Sequence, residues 1–246
     1  MWNKIIMKKR IVLLLINIII FNYGFSQDLG VNAGGHGYAG LNTGAANYIS
    51  NFDSNLKKQL DQNYKNLVGS VYINDEFSKA KLSSHESFFE IRYDAYSDEM
   101  EMKTPEDIRY LLKTPKLEIR FPDSDKTYGL YSNSNTSENK EGFFVIILKG
   151  DKFSLLLKEK VIFTDEFVPK TGYEKYVAPT LKRTEDKFYI GYKNNMANEL
   201  PSRKNDVLSL FSGKSKDVKK YAKTNKLSFS KKDDLIKIFT YYNSLK

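Results

Sequence analysis

The sequence predicts an α+β fold: an antiparallel, β-rich core with one helix before it and a helical segment after it. Between Val71 and Tyr192, β-branched and aromatic residues occur in short runs divided by turn residues, which is typical of strands. Before Gly69 and after residue 200, apolar residues recur at helical spacing instead. The expected segments are a signal peptide (1–26), a flexible leader (27–48), a helix (49–68), the core (69–200) and a basic helical segment (201–246).

The first 26 residues have the pattern of a secretory signal peptide. Four basic residues before Ile11 precede an apolar stretch that ends at Phe21, and Gly24 and Ser26 are the small residues that a signal peptidase requires. As a helix, that stretch spans only about 17 Å, too short for the roughly 30 Å hydrocarbon core of a membrane. We therefore expect cleavage before Gln27 and export to the periplasm or the outer membrane.

The leader, rich in glycine, alanine and asparagine, has too few large apolar residues to offset the entropy of ordering. Its stretch 35–40 matches the glycine pattern of a dinucleotide-binding loop. That pattern has meaning only between a strand and a helix, and the leader offers neither. We predict no cofactor.

The predicted N-terminal helix covers residues 50–67. Ile49, Phe52, Leu56 and Leu60, followed by Tyr64 or Leu67, recur at helical spacing. We expect this amphipathic helix to end before Gly69 and to cap the β core.

Eight strands are predicted in the core: 71–73, 88–96, 117–121, 127–131, 143–149, 153–157, 161–164 and 188–192. The clearest hairpin joins the fifth and sixth strands. Gly150 and Asp151 lie between them, and such a pair supplies the positive φ of a two-residue turn.

Three helices are predicted after residue 200. In the third, Ser230 is the expected N-cap, and Asp233 and Asp234 favour the helix start. The expected apolar stripes are Val207, Leu208, Leu210 and Phe211 in the first; Val218, Tyr221 and Ala222 in the second; and Leu235, Ile238, Phe239, Tyr242 and Leu245 in the third.

A weak internal similarity suggests two related halves. Residues 71–77 resemble 161–167, while 89–93 and 107–111 resemble 188–192 and 206–210. If the core is duplicated, each half has a strand, a hairpin and a helical turn. The alternative is that β-rich chains share short patterns by chance.

Charge is distributed unevenly along the chain. After Tyr192 there are 13 basic and 5 acidic residues, a net charge of +8, within a total of +9. Such asymmetry can mark a surface for an anionic partner. The alternative is that these lysines only solvate the outer faces of helices. The candidate surface comprises Lys214, Lys216, Lys219, Lys220, Lys223, Lys231 and Lys232.

Few residues are available for catalysis. The chain has no cysteine and only two histidines, His36 and His85, which argues against thiolate chemistry, disulfides, a histidine triad and a zinc site. His85 is expected to be a solvated surface residue. The carboxylates of 75–76, 165–166 and 94–101 leave open a carboxylate-dependent hydrolase or, for 94–101, a calcium site. Turn formation explains the two Asp-Glu pairs better.

A second binding hypothesis places a small apolar or carbohydrate ligand inside a β-barrel or sandwich. Its cavity would be lined by five aromatic residues: Phe88, Tyr93, Tyr96, Phe144 and Tyr192. The alternative for these residues is ordinary core packing.

Several stretches resemble secreted proteins of Bacteroidota, particularly of flavobacteria. They are 69–77, 91–101, 233–236 and 241–245, together with the signal end at 25–27. The resemblance covers about residues 67–246 and implies export, but no established activity, ligand or site residue. We therefore expect a non-enzymatic envelope protein that binds an anionic component or a protein, not nucleic acid. The mature chain is expected to have no transmembrane segment.

Overall fold

A computed structural model describes residues 49–53, 60, 62–64, 66–83, 85–134 and 141–246. The predicted signal peptide, the predicted leader, His36 and the glycine pattern at 35–40 lie outside these residues.

The strands form two sheets. In chain order they are β1 (Ile49–Asp53), β2 (Val68–Gly69), β3 (Ser78–Leu82), β4 (Phe88–Asp94), β5 (Glu99–Lys103), β6 (Ile108–Leu111), β7 (Glu118–Phe121), β8 (Lys126–Asn133), β9 (Glu141–Leu148), β10 (Ser154–Lys158), β11 (Val161–Thr164), β12 (Thr180–Arg183), β13 (Lys187–Gly191) and β14 (Met196–Glu199). The larger sheet has eleven strands in the order β1-β6-β5-β4-β3-β7-β8-β14-β13-β10-β9, and the smaller has the order β11-β12-β2. Parallel pairing joins β14 to β8 and β12 to β2, and the other pairs are antiparallel. The predicted antiparallel, β-rich core is confirmed.

Seven of the eight predicted strands correspond to strands of the structure. The exception is 71–73, where Tyr72 forms only an isolated bridge with Asp94. The sequence pattern missed β1, β2, β3, β5, β6, β12 and β14. Strands such as β3 and β5 alternate lysine or glutamate with apolar residues that are neither β-branched nor aromatic, so their composition does not favour strand structure.

One end of the larger sheet closes into a ring of five strands, because β8 pairs with β9 as well as with β14. Each strand of the ring contributes a buried side chain to one cluster: Tyr131, Phe144, Leu156, Tyr189 and Ala197. A Cβ on Gly191 would lie 2.9 Å from Leu156 Cδ1 and from Tyr131 Cε1. Side chains therefore fill the inside of the ring.

The rest of the larger sheet carries the main core. Buried residues of β3 to β8, among them Ile91, Met100 and Ile119, pack with Val161 and Leu181 of the smaller sheet. The smaller sheet therefore covers one face of the larger sheet.

The chain ends in three helices: α1 (Lys204–Leu210), α2 (Ser215–Thr224) and α3 (Lys232–Ser244). Their apolar side chains pack with Leu155 of β10 and Ile190 of β13 in one cluster. The predicted helical C-terminal segment is confirmed, and the positions predicted for its apolar stripes are buried or half-buried. Ser230 is not the N-cap of α3, because Lys231 takes that position. Within the described residues, no helix combines the length and apolar character that spanning a bilayer requires.

The predicted N-terminal helix is wrong over its first residues. Ile49–Asp53 is strand β1, which pairs with β6 at the edge of the larger sheet. Among the described residues of the predicted helix, helical structure occurs further along, where Tyr64 N–H donates to Leu60 O at 2.9 Å. Sheet pairing has overridden a helical spacing here.

The predicted hairpin of β9 and β10 is confirmed, but its two-residue turn is wrong. Residues 149–153 connect the strands, and Gly150 does not have a positive φ.

The two-halves hypothesis fails at its last pair of segments. Ile108–Leu111 is a strand, whereas the matching 206–210 belongs to helix α1. The similarity of these segments does not reflect a shared structure.

Candidate functional site

Helix α2 owes its position to two small apolar residues. Val218 and Ala222, four residues apart, are 0% and 1% exposed and pack in one cluster with Leu235, Ile238 and Phe239 of α3. Residues four apart lie on the same side of a helix, so this side of α2 faces the protein. The opposite side must face solvent.

That opposite side is basic. Lys216, Lys219, Lys220 and Lys223 are all exposed. With 3.6 residues per turn, their spacing of three, four and seven residues places all four on one face, away from Val218 and Ala222. We call these four lysines the basic face.

No ion pair joins a lysine of the basic face to another of the described residues. Their neighbours at three and four positions along α2 include one another, and like charges at this spacing repel. Lys216 also lies in the first turn, where the helix dipole disfavours a cation. Asp217, three positions before Lys220, is the only acidic residue of α2. The basic face thus presents a net positive charge to the solvent.

The other three predicted lysines do not lie on this face. Lys231 and Lys232 are exposed at the start of α3, and Lys214 is the half-buried N-cap of α2. Tyr221 of α2 stacks on Tyr241 of α3, with ring centroids 4.0 Å apart and the planes 5° from parallel. This contact, which the sequence did not reveal, fixes α2 against α3.

The five predicted cavity aromatics do not come together. Tyr93 and Tyr96 belong to the main core, Phe144 to the ring cluster and Tyr192 to the helical cluster. Phe88 is 56% exposed.

Two cavities differ from the predicted aromatic one. A cleft of about 220 Å³ includes Tyr93, Arg92, Phe121 and Tyr128 in its lining. A cavity of about 480 Å³ is lined mainly by polar residues: Lys158, Lys160, Ile162, Thr184, Glu185, Asp186, Lys187 and Tyr189.

Carboxylates of the acidic run at 94–101 form hydrogen bonds and ion pairs with other residues of the fold. Asp94 Oδ1 accepts the N–H groups of Tyr96 and Ser97, each at 2.9 Å. Glu101, 2% exposed, forms an ion pair with Arg92 at 2.8 Å. Burial raises the pKa of Asp94, and the nearby Glu101 also contributes to this.

Asp98 of the same run links three elements. It accepts hydrogen bonds from Tyr93 Oη at 2.7 Å, from Lys158 Nζ at 2.7 Å and from the N–H of Phe143 at 3.1 Å. Burial lowers the pKa of Lys158, while Asp98 opposes this change. The protein therefore satisfies Asp98 with its own donors.

A buried carboxylate outside this run was missed by the sequence analysis. Glu159, 2% exposed, accepts hydrogen bonds from Lys126 and Arg183, each at 2.8 Å, and from Tyr128 Oη. Burial, reinforced by Glu159, raises the pKa of Tyr128. Residue type and spacing gave no signal for this cluster, because its members come from two strands, β8 and β12, and from the segment between β10 and β11.

His85 is half-buried, and its ring lies edge-on to Phe89 with centroids 5.9 Å apart. The prediction of a solvated histidine is therefore wrong. Among the described residues, no group of three or more histidine, aspartate or glutamate side chains is placed to hold a metal ion.

Comparisons of the chain with protein families, with curated proteins and with solved structures give no match. The case for a function therefore depends on the residues of this chain.

Proposed function

We propose that this protein is a non-enzymatic binding protein of the cell envelope and that it attaches to an anionic partner through helix α2. The observation that carries the proposal is the basic face, where four exposed lysines share one side of α2 and have no ion-pair partner among the described residues.

The chemistry of lysine favours a partner with diffuse negative charge. A lysine ammonium is a compact charge on a flexible stem, whereas arginine makes planar, two-point contacts with individual carboxylates or phosphates. The basic face contains lysine alone. It therefore suits an extended anionic surface or polymer better than a single, precisely oriented anion.

The competing hypotheses have less support. A small-ligand binder requires aromatic side chains around one cavity, and the five candidates lie in separate clusters or on the surface. A hydrolase requires two carboxyl groups facing a cleft, whereas Glu101, Asp98 and Glu159 are each held by basic side chains of the protein.

Location in the envelope is part of the proposal, and the signal-peptide pattern of residues 1–26 supports it. Cells expressing the full chain should export a protein whose first residue is Gln27. N-terminal sequencing of the exported protein tests this, and retention of residues 1–26 would contradict it.

The binding test uses the protein recovered from the envelope of such cells. Binding to immobilised dextran sulfate is measured at low and high salt for the wild type and for a variant with Lys216, Lys219, Lys220 and Lys223 changed to glutamine. Exposed charges are strongly screened by salt, so we expect wild-type binding at low salt to be lost at high salt. The variant should bind at least about tenfold more weakly, because each lysine near an anionic surface contributes on the order of 1 kcal/mol.

The matched control changes four exposed lysines outside the helical segment to glutamine: Lys116, Lys160, Lys182 and Lys193. It alters the net charge equally. Equal weakening in both variants would show that only total charge matters, and would overturn the assignment to α2.

A further inference from the structure

A second surface of this protein is apolar. Most of the exposed large apolar residues of the described chain lie on or beside one hairpin, formed by residues 165–177 after β11: Val68, Ile162, Phe167, Val168, Tyr173, Tyr176 and Val177. We call residues 165–177 the apolar hairpin. Concentrated exposure of this kind marks an interaction site, whereas scattered apolar residues need no explanation.

The geometry of the hairpin shows that the described part of the chain leaves it uncovered. Phe167 and Val177 are paired in an antiparallel bridge. The N–H of Phe167 donates to the carbonyl of Val177 at 2.9 Å, and the N–H of Val177 donates to the carbonyl of Phe167 at 3.0 Å. Paired residues share one face of a hairpin, and these two are 46% and 52% exposed. Val168 and Tyr176, their neighbours in the chain, point to the other face and are 60% and 46% exposed.

The hairpin is nevertheless well formed. Glu174 Oε2 accepts the N–H of Lys170 and the hydroxyl of Thr171, each at 3.3 Å, and Tyr176 Oη donates to Glu166 Oε2 at 2.9 Å. Tyr173, at the tip, is fully exposed. An ordered hairpin with apolar side chains on both faces gains free energy when a partner removes them from water.

Charge along the hairpin indicates which partner. Asp165 and Glu166 make its base acidic, while Lys170 and Lys175 lie toward its tip, where the carboxylate of Glu174 is held by the loop. An anionic lipid surface or polymer would be repelled by the base. A second hairpin in the opposite direction would place its lysines beside the acidic base, and a twofold axis would make the same contact twice.

We propose that the apolar hairpin is a self-association surface, on which a second copy of this chain docks with its own hairpin antiparallel to the first. The thirteen residues of the hairpin are fewer than the roughly 20 to 30 per side of a standard interface, so the dimer is weak and forms reversibly. The basic face of α2 takes no part in this contact.

The test measures molecular mass by analytical ultracentrifugation of the exported protein, from about 1 µM to about 1 mM, the range in which small interfaces dissociate. We expect the mass to rise from one chain to two. The variant with Val168→Ser and Tyr173→Ser should raise the dissociation constant at least about tenfold, since exposed aromatic anchors contribute most of the energy of an interface. Phe88→Ser is the control, because Phe88 is 56% exposed on β4, outside the hairpin.

A charge exchange tests the antiparallel arrangement. Lys175→Glu should weaken the dimer, and adding Glu166→Lys to the same chain should restore it, because the exchanged charges meet again across the twofold axis.

A chain that stays monomeric at the highest concentration overturns the proposal, as does a dimer insensitive to Val168→Ser and Tyr173→Ser or equally sensitive to Phe88→Ser. A monomer whose hairpin binds lipid vesicles would likewise overturn it in favour of a membrane. The four-lysine variant of α2 should dimerise as the wild type does, so the two proposals fail separately.

Discussion

The side-chain amide of Asn243 binds the backbone of Phe153 at both of its polar groups. Asn243 Oδ1 accepts the N–H of Phe153 at 3.1 Å, and Asn243 Nδ2 donates to the carbonyl of Phe153 at 2.9 Å. The same oxygen accepts the N–H of Lys152 at 3.0 Å. One side chain of α3 thus supplies the hydrogen bonds that a neighbouring strand would otherwise make to the β9–β10 loop. These bonds also connect the helical segment to the larger sheet.

Replacing Asn243 with alanine should destabilise the protein by about 2 kcal/mol, because it leaves partly buried backbone groups of the loop without partners. Urea unfolding followed by circular dichroism measures this as a lower midpoint with an unchanged slope. Asn225→Ala is the matched control, since the Asn225 amide is exposed and donates only to Tyr221 O of its own helix. Equal loss in both variants would contradict the role given to Asn243.

The contact of Asn243 with Phe153 shows which part of this hairpin the sequence could predict. Alternating apolar runs around Gly150 predicted the hairpin correctly, because strand pairing is local there. The conformation of its loop depends on Asn243, some 90 residues further along the chain. Gly150 is needed because neighbouring atoms come too close for a side chain, not because the turn requires a positive φ. A Cβ at this position would lie 2.3 Å from Asn243 Nδ2 and from Phe153 O. A local pattern cannot contain that information.

A second prediction concerns the filled ring of strands. Gly191→Ala should destabilise the protein by about 1 to 3 kcal/mol, because the new methyl group meets Leu156 and Tyr131 at 2.9 Å inside a packed cluster. Gly172→Ala is the control, as no atom lies within 4 Å of its Cβ position. Thermal unfolding of the two variants compares them directly, and an unchanged melting temperature for Gly191→Ala would mean that the ring has free space.

A third prediction uses the buried carboxyl of Asp94. Burial raises its pKa above the ordinary 3.8, so between 3.8 and the raised value the folded state holds more protons than the unfolded state. The stability that Asp94 contributes is thus complete below pH 3.8 and is lost as the pH rises through its folded pKa. Asp94→Asn keeps an oxygen for the N–H groups of Tyr96 and Ser97 but does not titrate. Relative to wild type, it should therefore become more stable as the pH rises.

Urea unfolding between pH 3 and pH 7 measures that difference. Asp107→Asn supplies the opposite case, because a hydrogen bond from Arg109 lowers the pKa of Asp107. The stability contributed by Asp107 is present above its unfolded pKa and is lost as the pH falls through the folded value. Asp107→Asn should therefore lose stability relative to wild type as the pH rises. If the free energy of unfolding relative to wild type changed with pH in the same way for both variants, the opposite directions of the two pKa shifts would be refuted.

The candidate surfaces differ in how visible they were in the sequence. The uneven charge predicted a surface of seven lysines, and four of them, Lys216, Lys219, Lys220 and Lys223, share one face of α2, because residues three and four apart lie on the same side of a helix. The exposure of the apolar hairpin did not follow, because a run such as 167–168 in a β-rich chain looks like core. Only the packing shows that the smaller sheet leaves it uncovered.

A last prediction separates a binding role for the basic face from a structural one. Its lysines form four like-charged pairs at three or four positions, each of which costs about 0.2 to 0.5 kcal/mol in a helix at low salt. The glutamine variant at all four positions should therefore be about 1 kcal/mol more stable than wild type at low salt, with a smaller gain at high salt. Thermal unfolding at the two salt concentrations measures both. A variant that binds dextran sulfate poorly and is also less stable would show that the lysines support the fold. If the lysines serve binding instead, the variant should bind dextran sulfate more weakly and be more stable than wild type.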